Sequence, residues 1–107
     1  MFVFNNDVIA TGCEPGVTRK VLSYTKELMM CEVSFDAGAE GKVHSHPHQQ
    51  MTYVAEGSFE FTMEGETEIV GIGDSIYIPA NAMHGVKALE AGILVDVFTP
   101  MREDFID

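Results

Sequence analysis

Apolar and polar residues alternate along most of the chain, and clusters of glycine, proline, asparagine and aspartate interrupt the alternation at short intervals. A period of two is typical of strands that bury one face. The strands predicted in this way cover residues 17–25, 28–35, 43–55, 59–63, 67–70, 75–78, 84–87 and 93–99. Many short strands with frequent turns, and no stretch of helical periodicity, predict an all-β antiparallel sandwich or barrel.

Local signals refine this prediction at several points. Residues 36–41 are expected to form a turn, and the segment 43–55 is expected to be one strand or two, bent near Pro47. Glu56 and Gly57 form a tight turn between alternating segments, which predicts a β-hairpin. Residues 101–107 are compatible with a short turn of helix.

The composition indicates one small folded unit. The chain has 107 residues, 46% of them hydrophobic, which predicts a single domain over residues 1–107 with a real core. It contains no apolar run near the roughly 18 residues that span a membrane. The first residues lack the basic and apolar regions of a signal peptide, so we expect a cytoplasmic location. Cys13 and Cys31 form no C-x-x-C pair and are expected to be reduced thiols.

The charge balance restricts the possible partners. A formal net charge of -11 argues against nucleic acids and anionic membranes, because both are bound through basic patches. Only six lysine and arginine side chains are present, so an anionic substrate would need a strong local positive charge. A bound metal ion would supply the strongest one.

All four histidines lie in two places, three of them within residues 44–48 and the fourth at His84. Residues two apart on a strand point to the same face, so His44 and His46 are expected to project side by side, and Gln50 can follow on that face. Two imidazoles from one strand and a third from another can bind zinc, nickel, copper or iron. A polar surface pair without a metal is the alternative interpretation of the H-x-H motif alone.

Two longer motifs around these residues resemble those of the cupin superfamily. The first consists here of Gly38, His44, His46, Gln50 and Gly57, and the second of Gly73, Pro79, Asn81 in a position that is usually glycine, and His84. The resemblance implies a single-domain jelly-roll β-barrel that holds one divalent transition metal ion through His44, His46, Gln50 and His84. Zn, Ni, Mn and Fe all accept such donors, so the identity of the metal stays open.

Gln50 departs from the family pattern, which usually has glutamate there. An amide offers only a neutral oxygen, so a divalent ion would keep both of its positive charges. Non-haem iron oxygenases typically rely on a carboxylate ligand, and the sequence therefore favours Lewis-acid chemistry over oxygen activation. Gln49 is the competing choice of ligand, although the alternation favours Gln50. Three roles are considered for His48: a ligand, a residue that supports the ligands, and a solvated residue. A supporting or structural role is preferred.

The whole chain also resembles a narrower group, the small cupins encoded with pectin and alginate breakdown enzymes. The similar segments are residues 1–5, 44–61, 78–85 and 96–105, and the general cupin pattern does not require the last of them. The resemblance implies a ring-opening isomerase or lyase-type enzyme that converts 4,5-unsaturated monouronates into linear 5-keto-4-deoxyuronates. The expected partner is a small sugar acid, derived from pectin or from alginate, and we expect a homodimer because small cupins commonly pair through edge strands.

The same resemblance points to the last strand. Asp96 and Phe98 are two residues apart and share a face, which the family turns toward the metal. Asp96 interrupts an apolar run, and burial would raise the pKa of its carboxyl and suit it to act as a general base. A structural aspartate bonded to a turn is the alternative. Phe98 either contacts the sugar ring or fills the core.

Two arginines are candidates for binding the substrate. Arg102 can grip a carboxylate with two parallel hydrogen bonds, and we assign it to catalysis and to substrate binding. Its alternative is a surface ion pair with Glu103 or Asp104. Arg19, on the strand predicted over residues 17–25, is a weaker candidate for binding an anion.

Three other functions fit parts of the pattern. A ligand-sensing cupin without catalysis would usually be joined to a DNA-binding module, and this sequence contains none. A cupin dioxygenase, or an isomerase of another small acidic substrate, would need an open redox metal, and Gln50 argues against it. A structural or storage barrel would often lack the histidines, all of which are present.

Overall fold

The chain is built almost entirely of β-strands. A computed structural model describes residues 1–106, which contain ten strands and two 3-10 helices of one turn each, Asn5–Asp7 and Glu103–Phe105. The strands are β1 (Thr11–Glu14), β2 (Val17–Tyr24), β3 (Met29–Phe35), β4 (Glu40–His44), β5 (Gln49–Glu56), β6 (Ser58–Met63), β7 (Glu66–Gly71), β8 (Ser75–Ile78), β9 (His84–Ala88) and β10 (Gly92–Thr99). Within the described range, no helix is long and apolar enough to cross a membrane.

The strands form two antiparallel sheets that face each other. The six-stranded sheet has the order β1-β2-β3-β10-β5-β8, and the four-stranded sheet has the order β4-β9-β6-β7. This arrangement confirms the predicted all-β fold of two antiparallel layers. The two sheets share no strand pair among residues 1–106, so the barrel is a sandwich that is not closed by hydrogen bonds.

The interior between the sheets has an apolar end and a polar end, because the inward residues of the central strands change character along their length. On β5 the inward residues Gln50, Thr52 and Val54 are buried and the residues between them are exposed. At the Val54 end, Phe35 and Phe59 meet edge to face, with ring centroids 5.3 Å apart. Each fully buried large apolar side chain contributes roughly 1.5–3 kcal/mol to folding. The apolar end therefore stabilises the fold, and the polar end is available for chemistry.

The predicted hairpin at Glu56 and Gly57 is wrong. β5 pairs with β10 and β8, whereas β6 pairs with β7 and β9, so the turn carries the chain from one sheet to the other. Gly57 has a φ of +78°, as a tight turn requires. The local signal for a turn was correct. The partner of each strand, however, depends on packing against segments that are distant in the chain.

Other boundaries also differ from the prediction. The segment 43–55 contains two strands that belong to different sheets, β4 and β5, and residues 45–48 connect them. β4 begins at Glu40, inside the segment expected to turn, and the edge strand β1 was not predicted because its residues are mostly exposed and lack alternation. The expected helical turn near the C-terminus is present as Glu103–Phe105, and Asp107 lies outside the described residues.

Both cysteines are free, as expected of reduced thiols. Cys13 is exposed, and Cys31 is fully buried opposite Asp96 on the neighbouring strand. Burial raises the pKa of the Cys31 thiol to about 12, with the Asp96 carboxylate adding to the effect. Cys31 is therefore a packing residue.

The turn at Gly57, where the chain crosses from one sheet to the other, leads to a prediction about substitutions. A Cβ atom there would lie 2.7 Å from the carbonyl oxygen of Ala91, so Gly57→Ala adds a backbone clash to the strain of a positive φ. We expect it to lower the free energy of unfolding by roughly 2–4 kcal/mol. Gly65→Ala is the matched control, because Gly65 has a φ of +79° and no heavy atom within 4 Å of the added Cβ. It should cost only about 1 kcal/mol in urea unfolding, and equal losses would contradict this account of the crossing.

Candidate metal centre and active site

Three histidines converge at the polar end of the barrel. His44 ends β4 and His84 begins β9, and the two residues are direct partners in the four-stranded sheet. His46 lies in the segment between β4 and β5 and is buried, with its ring centroid 5.0 Å from that of His84. Ligand atoms of the three rings all lie within 4.8 Å of one another, so the three histidines are positioned to bind one metal ion.

Each of the three rings is oriented by a hydrogen bond from its Nδ1 to a main-chain carbonyl oxygen. The distances are 2.8 Å from His44 to Lys42, 3.1 Å from His46 to His48 and 2.9 Å from His84 to Ala82. A carbonyl oxygen can only accept, so in the neutral rings of His44 and His84 the proton lies on Nδ1 and Nε2 keeps a free lone pair. His46 has an acceptor oxygen at each ring nitrogen, and metal binding through its Nε2 requires the tautomer with the proton on Nδ1. Metal-binding histidines almost always donate their other nitrogen in this way.

Gln50 adds a fourth lone pair to the cluster. Its Oε1 lies 3.0 Å from Nε2 of His46, and its Nε2 donates to the Thr52 hydroxyl at 2.9 Å. With the His46 proton on Nδ1, two acceptor atoms face each other at this distance, which is unfavourable unless a cation lies between them. Two ligands bound at about 2.1 Å to one ion are themselves roughly 3 Å apart. The residues present therefore fit a bound metal ion.

Burial keeps His46 and His84 in the form that binds metals. Burial lowers the pKa of His46 to about 4, and the positive charge of Arg102 adds to the effect. Burial also lowers the pKa of His84, whose Nε2 is buried and has no hydrogen-bond partner among residues 1–106. Both rings are neutral near neutral pH, and a neutral imidazole is the metal-binding form.

The geometry separates the candidates that the sequence left open. Gln49 is exposed, and its side-chain oxygen accepts a hydrogen bond from the Tyr77 hydroxyl, so the structure brings Gln50 and not Gln49 to the cluster. His48 lies outside the group of three and contributes its main-chain carbonyl to His46. The expected projection of His44, His46 and Gln50 from one alternating strand is wrong. His44 ends β4, His46 lies in the connection, and Gln50 is on β5 in the other sheet.

A cavity of about 310 Å³ opens beside the histidines and brings most of the predicted site residues together. Its lining includes His44, Gln50, His84, Asp96, Phe98, Arg19 and Arg102. His46 is not part of the lining, but it contacts Gln50 and the ring of Phe98. The volume lies at the lower end of the range for small-molecule sites. The cavity therefore suits one small ring better than a long chain.

Asp96 lies on the inward face of β10, opposite Thr52 on β5. The Thr52 hydroxyl donates to its Oδ1 at 2.7 Å. Burial raises the pKa of the Asp96 carboxyl to about 6, although the hydrogen bond from Thr52 and the nearby amide of Gln50 oppose the shift. The apolar run around Asp96 predicted its burial. The role of Thr52 was not predicted, because a hydrogen bond between residues 44 positions apart leaves no local signal.

The two arginines lie at the cavity beside an aromatic residue that the sequence did not single out. The guanidinium carbons of Arg19 and Arg102 lie 3.6 Å and 4.2 Å from the ring centroid of Phe105. Arg102 also forms the ion pair named as its alternative role, with Nε and Nη2 donating to the Asp104 carboxylate at 3.1 Å and 2.9 Å. Phe98 is almost fully buried, as a core residue is, and it also lines the cavity.

The cavity is locally basic within a strongly acidic protein. Half of the six cationic side chains in the chain, Arg19, Lys42 and Arg102, line it, and so do the two carboxylates of Glu14 and Asp96. With three positive and two negative side chains, the lining has a small positive excess. The overall charge of -11 would otherwise repel an anion. This concentration of positive charge favours an anionic ligand in the cavity.

Comparison with protein families identifies the family to which the chain belongs. Residues 31–98, more than half of the sequence, match the family described as Cupin domain. The chain therefore belongs to the cupin family. The matched span contains the three clustered histidines as well as Gln50 and Asp96.

Individual proteins within this family are similar to the chain over most of its length. The chain is 46% identical over 93 residues to the pectin degradation protein KdgF of Dickeya dadantii (strain 3937). The matched region covers 85% of this chain and 84% of that protein. The structure of KdgF from Halomonas sp. matches with a TM-score of 0.95 and 39% identity, over 99% of this chain and 98% of that chain. An RmlC-like cupin from Shewanella frigidimarina NCIMB 400 matches equally, over 98% and 95% of the two chains. The chain is thus a homologue of a pectin degradation protein.

The cluster leads to a prediction about metal content. His46→Ala removes one of the three converging imidazoles, and elemental analysis should find its metal content reduced far below the one ion per chain expected of the wild type. His48→Ala is the control, because His48 lies outside the cluster and its carbonyl contact to His46 survives the substitution. Equal metal content in the wild type and the His46→Ala variant would show that the cluster is not the binding site.

Proposed function

We propose that the protein is an enzyme that opens the ring of 4,5-unsaturated monouronates, derived from pectin or alginate, to give linear 5-keto-4-deoxyuronates. The observation that carries the proposal is the Asp96 carboxylate, which lines the same basic cavity as His44 and His84. The similarity to a pectin degradation protein supports the class of substrate.

The ligands proposed for the metal ion are His44, His46, Gln50 and His84. When bound, a divalent ion would supply positive charge for the substrate carboxylate and for the oxygen that leaves the anomeric carbon. All four ligands are neutral, so the ion would keep both of its charges, which supports Lewis-acid chemistry over oxygen activation. Zn, Ni, Mn and Fe remain the candidates, since each accepts imidazole and amide ligands.

The remaining cavity residues would bind and orient the sugar acid. Arg102 uses two of its five N–H groups for Asp104, which leaves three for a substrate carboxylate. Arg19 is the second candidate, since it lines the same cavity. Phe98, as part of the cavity wall, would contact the sugar ring.

Asp96 would act as the general base. It accepts the proton of the anomeric hydroxyl, the bond between the anomeric carbon and the ring oxygen breaks, and the ring oxygen keeps the electron pair as an enolate. Return of a proton to C4 then gives an aldehyde at C1 and a ketone at C5, so the reaction is an isomerisation that needs no co-substrate. A pKa raised to about 6 allows the carboxylate to be ionised near neutral pH while it remains a useful base.

The proposal also includes the oligomeric state, the location and the partner of the protein. A homodimer is supported by exposed apolar side chains on the outer face of the six-stranded sheet, where Met51 and Tyr77 are direct cross-strand neighbours. The cytoplasmic location stays a prediction from the sequence. The expected partner is a small sugar acid rather than a polymer, because the cavity has room for about one ring.

The proposed reaction can be followed directly. Metal-loaded protein should accelerate the loss of the conjugated double-bond absorbance of freshly prepared unsaturated monouronate, relative to buffer and to protein treated with a chelator. Pectin and alginate polymers should not be shortened. Depolymerisation with the monouronate untouched would refute the proposal, and binding of the monouronate without turnover would favour the sensing function instead.

The role of Asp96 gives a second prediction. Asp96→Asn keeps the shape and loses the basicity, so kcat should fall roughly 10²–10⁴-fold while metal content is unchanged. In the wild type kcat/KM should decline as the pH falls through about 6, because protonation of the Asp96 carboxylate removes the base. A bound metal ion would favour the ionised form and move this decline to lower pH. Near-normal turnover of Asp96→Asn at saturating substrate would rule out Asp96 as the base.

A further inference from the structure

We propose that Thr52 is a positioning residue that fixes the amide of Gln50, so that the carbonyl oxygen and not the NH₂ group faces the three histidines. The inference deepens the proposed function and rests on it, since it assumes that Gln50 is a ligand of the metal ion. Thr52 touches neither the substrate nor the metal in this role. Its effect on the metal site is exerted through Gln50, and the same hydroxyl also donates to Asp96.

Thr52 is placed between the two groups that it connects. It follows Gln50 by two residues on the inward face of β5, and it is the cross-strand partner of Asp96 on β10. Its side chain is 1% exposed. The hydroxyl accepts a hydrogen bond from Nε2 of Gln50 at 2.9 Å and donates one to Oδ1 of Asp96 at 2.7 Å.

A count of protons shows why this arrangement sets the direction of the amide. A hydroxyl has one proton, and the Thr52 proton is given to the Asp96 oxygen. The Thr52 oxygen can then only accept from Gln50, and the amide must turn its NH₂ group toward it. A reversed amide would set two acceptors against each other in a buried place, which costs about 1–3 kcal/mol. Asp96 and Thr52 together therefore hold the Gln50 oxygen toward His46.

The same count explains a preference for glutamine over glutamate at this position. A carboxylate at position 50 would need a donor in place of the amide NH₂, and the only proton of Thr52 is already used by Asp96. Two buried carboxylates would then compete for one hydroxyl. A neutral ligand with its own donor satisfies all three side chains, which matches the residues found here.

The test separates the hydroxyl from the methyl group of Thr52. Thr52→Val keeps the shape and loses the hydroxyl, and Thr52→Ser keeps the hydroxyl and loses the methyl group. Cobalt(II) is the probe, because binding can be titrated and its visible absorption reports the ligands. We expect Thr52→Val to weaken cobalt binding about 10–100-fold, with a spectrum shifted toward that of Gln50→Ala. Thr52→Ser should bind nearly as well as the wild type.

A double-mutant cycle distinguishes positioning from a general effect on the fold. In the Gln50→Ala background, Thr52→Val should cause no further loss of cobalt affinity, because the residue through which Thr52 acts is gone. If the loss is the same in both backgrounds, or if Thr52→Val binds cobalt like the wild type, the positioning role is wrong and the metal centre stands. A wild type that binds no cobalt would overturn the metal centre itself. Should Thr52→Val not fold, the comparison of Thr52→Ala with Thr52→Ser answers the same question.

Discussion

The convergence of four lone pairs inside one barrel is the constraint on which the rest of the site depends. Main-chain carbonyls face Nδ1 of three imidazoles, and Gln50 turns its amide oxygen to 3.0 Å from Nε2 of His46. A neutral His46 has one proton for two acceptor oxygens, so either the His48 carbonyl or Gln50 Oε1 lacks a donor unless a cation lies between Nε2 and Oε1. Protonation of His46 would relieve the conflict, but burial lowers its pKa to about 4 and prevents this near neutral pH. The barrel is therefore arranged for a bound cation.

The two sheets make different contributions to this arrangement. The four-stranded sheet supplies His44 and His84, which its register sets directly opposite each other. The six-stranded sheet supplies Gln50 and Asp96 from adjacent strands, with Thr52 hydrogen-bonded to both. The cavity lies where these two sets of side chains meet. A ligand there would contact a cation on one side and a carboxylate on the other, which is the pairing of electrophile and base that ring opening needs.

The sequence predicted the features that leave a local pattern. The apolar run around Asp96 predicted its burial, and the resemblance to cupins predicted its inward direction. The two cupin motifs predicted the cluster of His44, His46 and His84. The hairpin at Gly57 was wrong, since a turn signal does not say which sheet the next strand joins. Thr52 and Phe105 were missed because their roles depend on contacts with residues far away in the chain, such as Asp96 and Arg19. The ion pair of Arg102 with Asp104 was foreseen as an alternative because it is local.

The most direct test of the central claim is a crystal structure of the protein grown with zinc, with diffraction data collected on both sides of the zinc absorption edge. The account predicts one anomalous peak per chain, at roughly 2.0–2.2 Å from Nε2 of the three clustered histidines and from Oε1 of Gln50. A peak bound by His48 or Gln49 in their place, or no peak at the cluster, would contradict it.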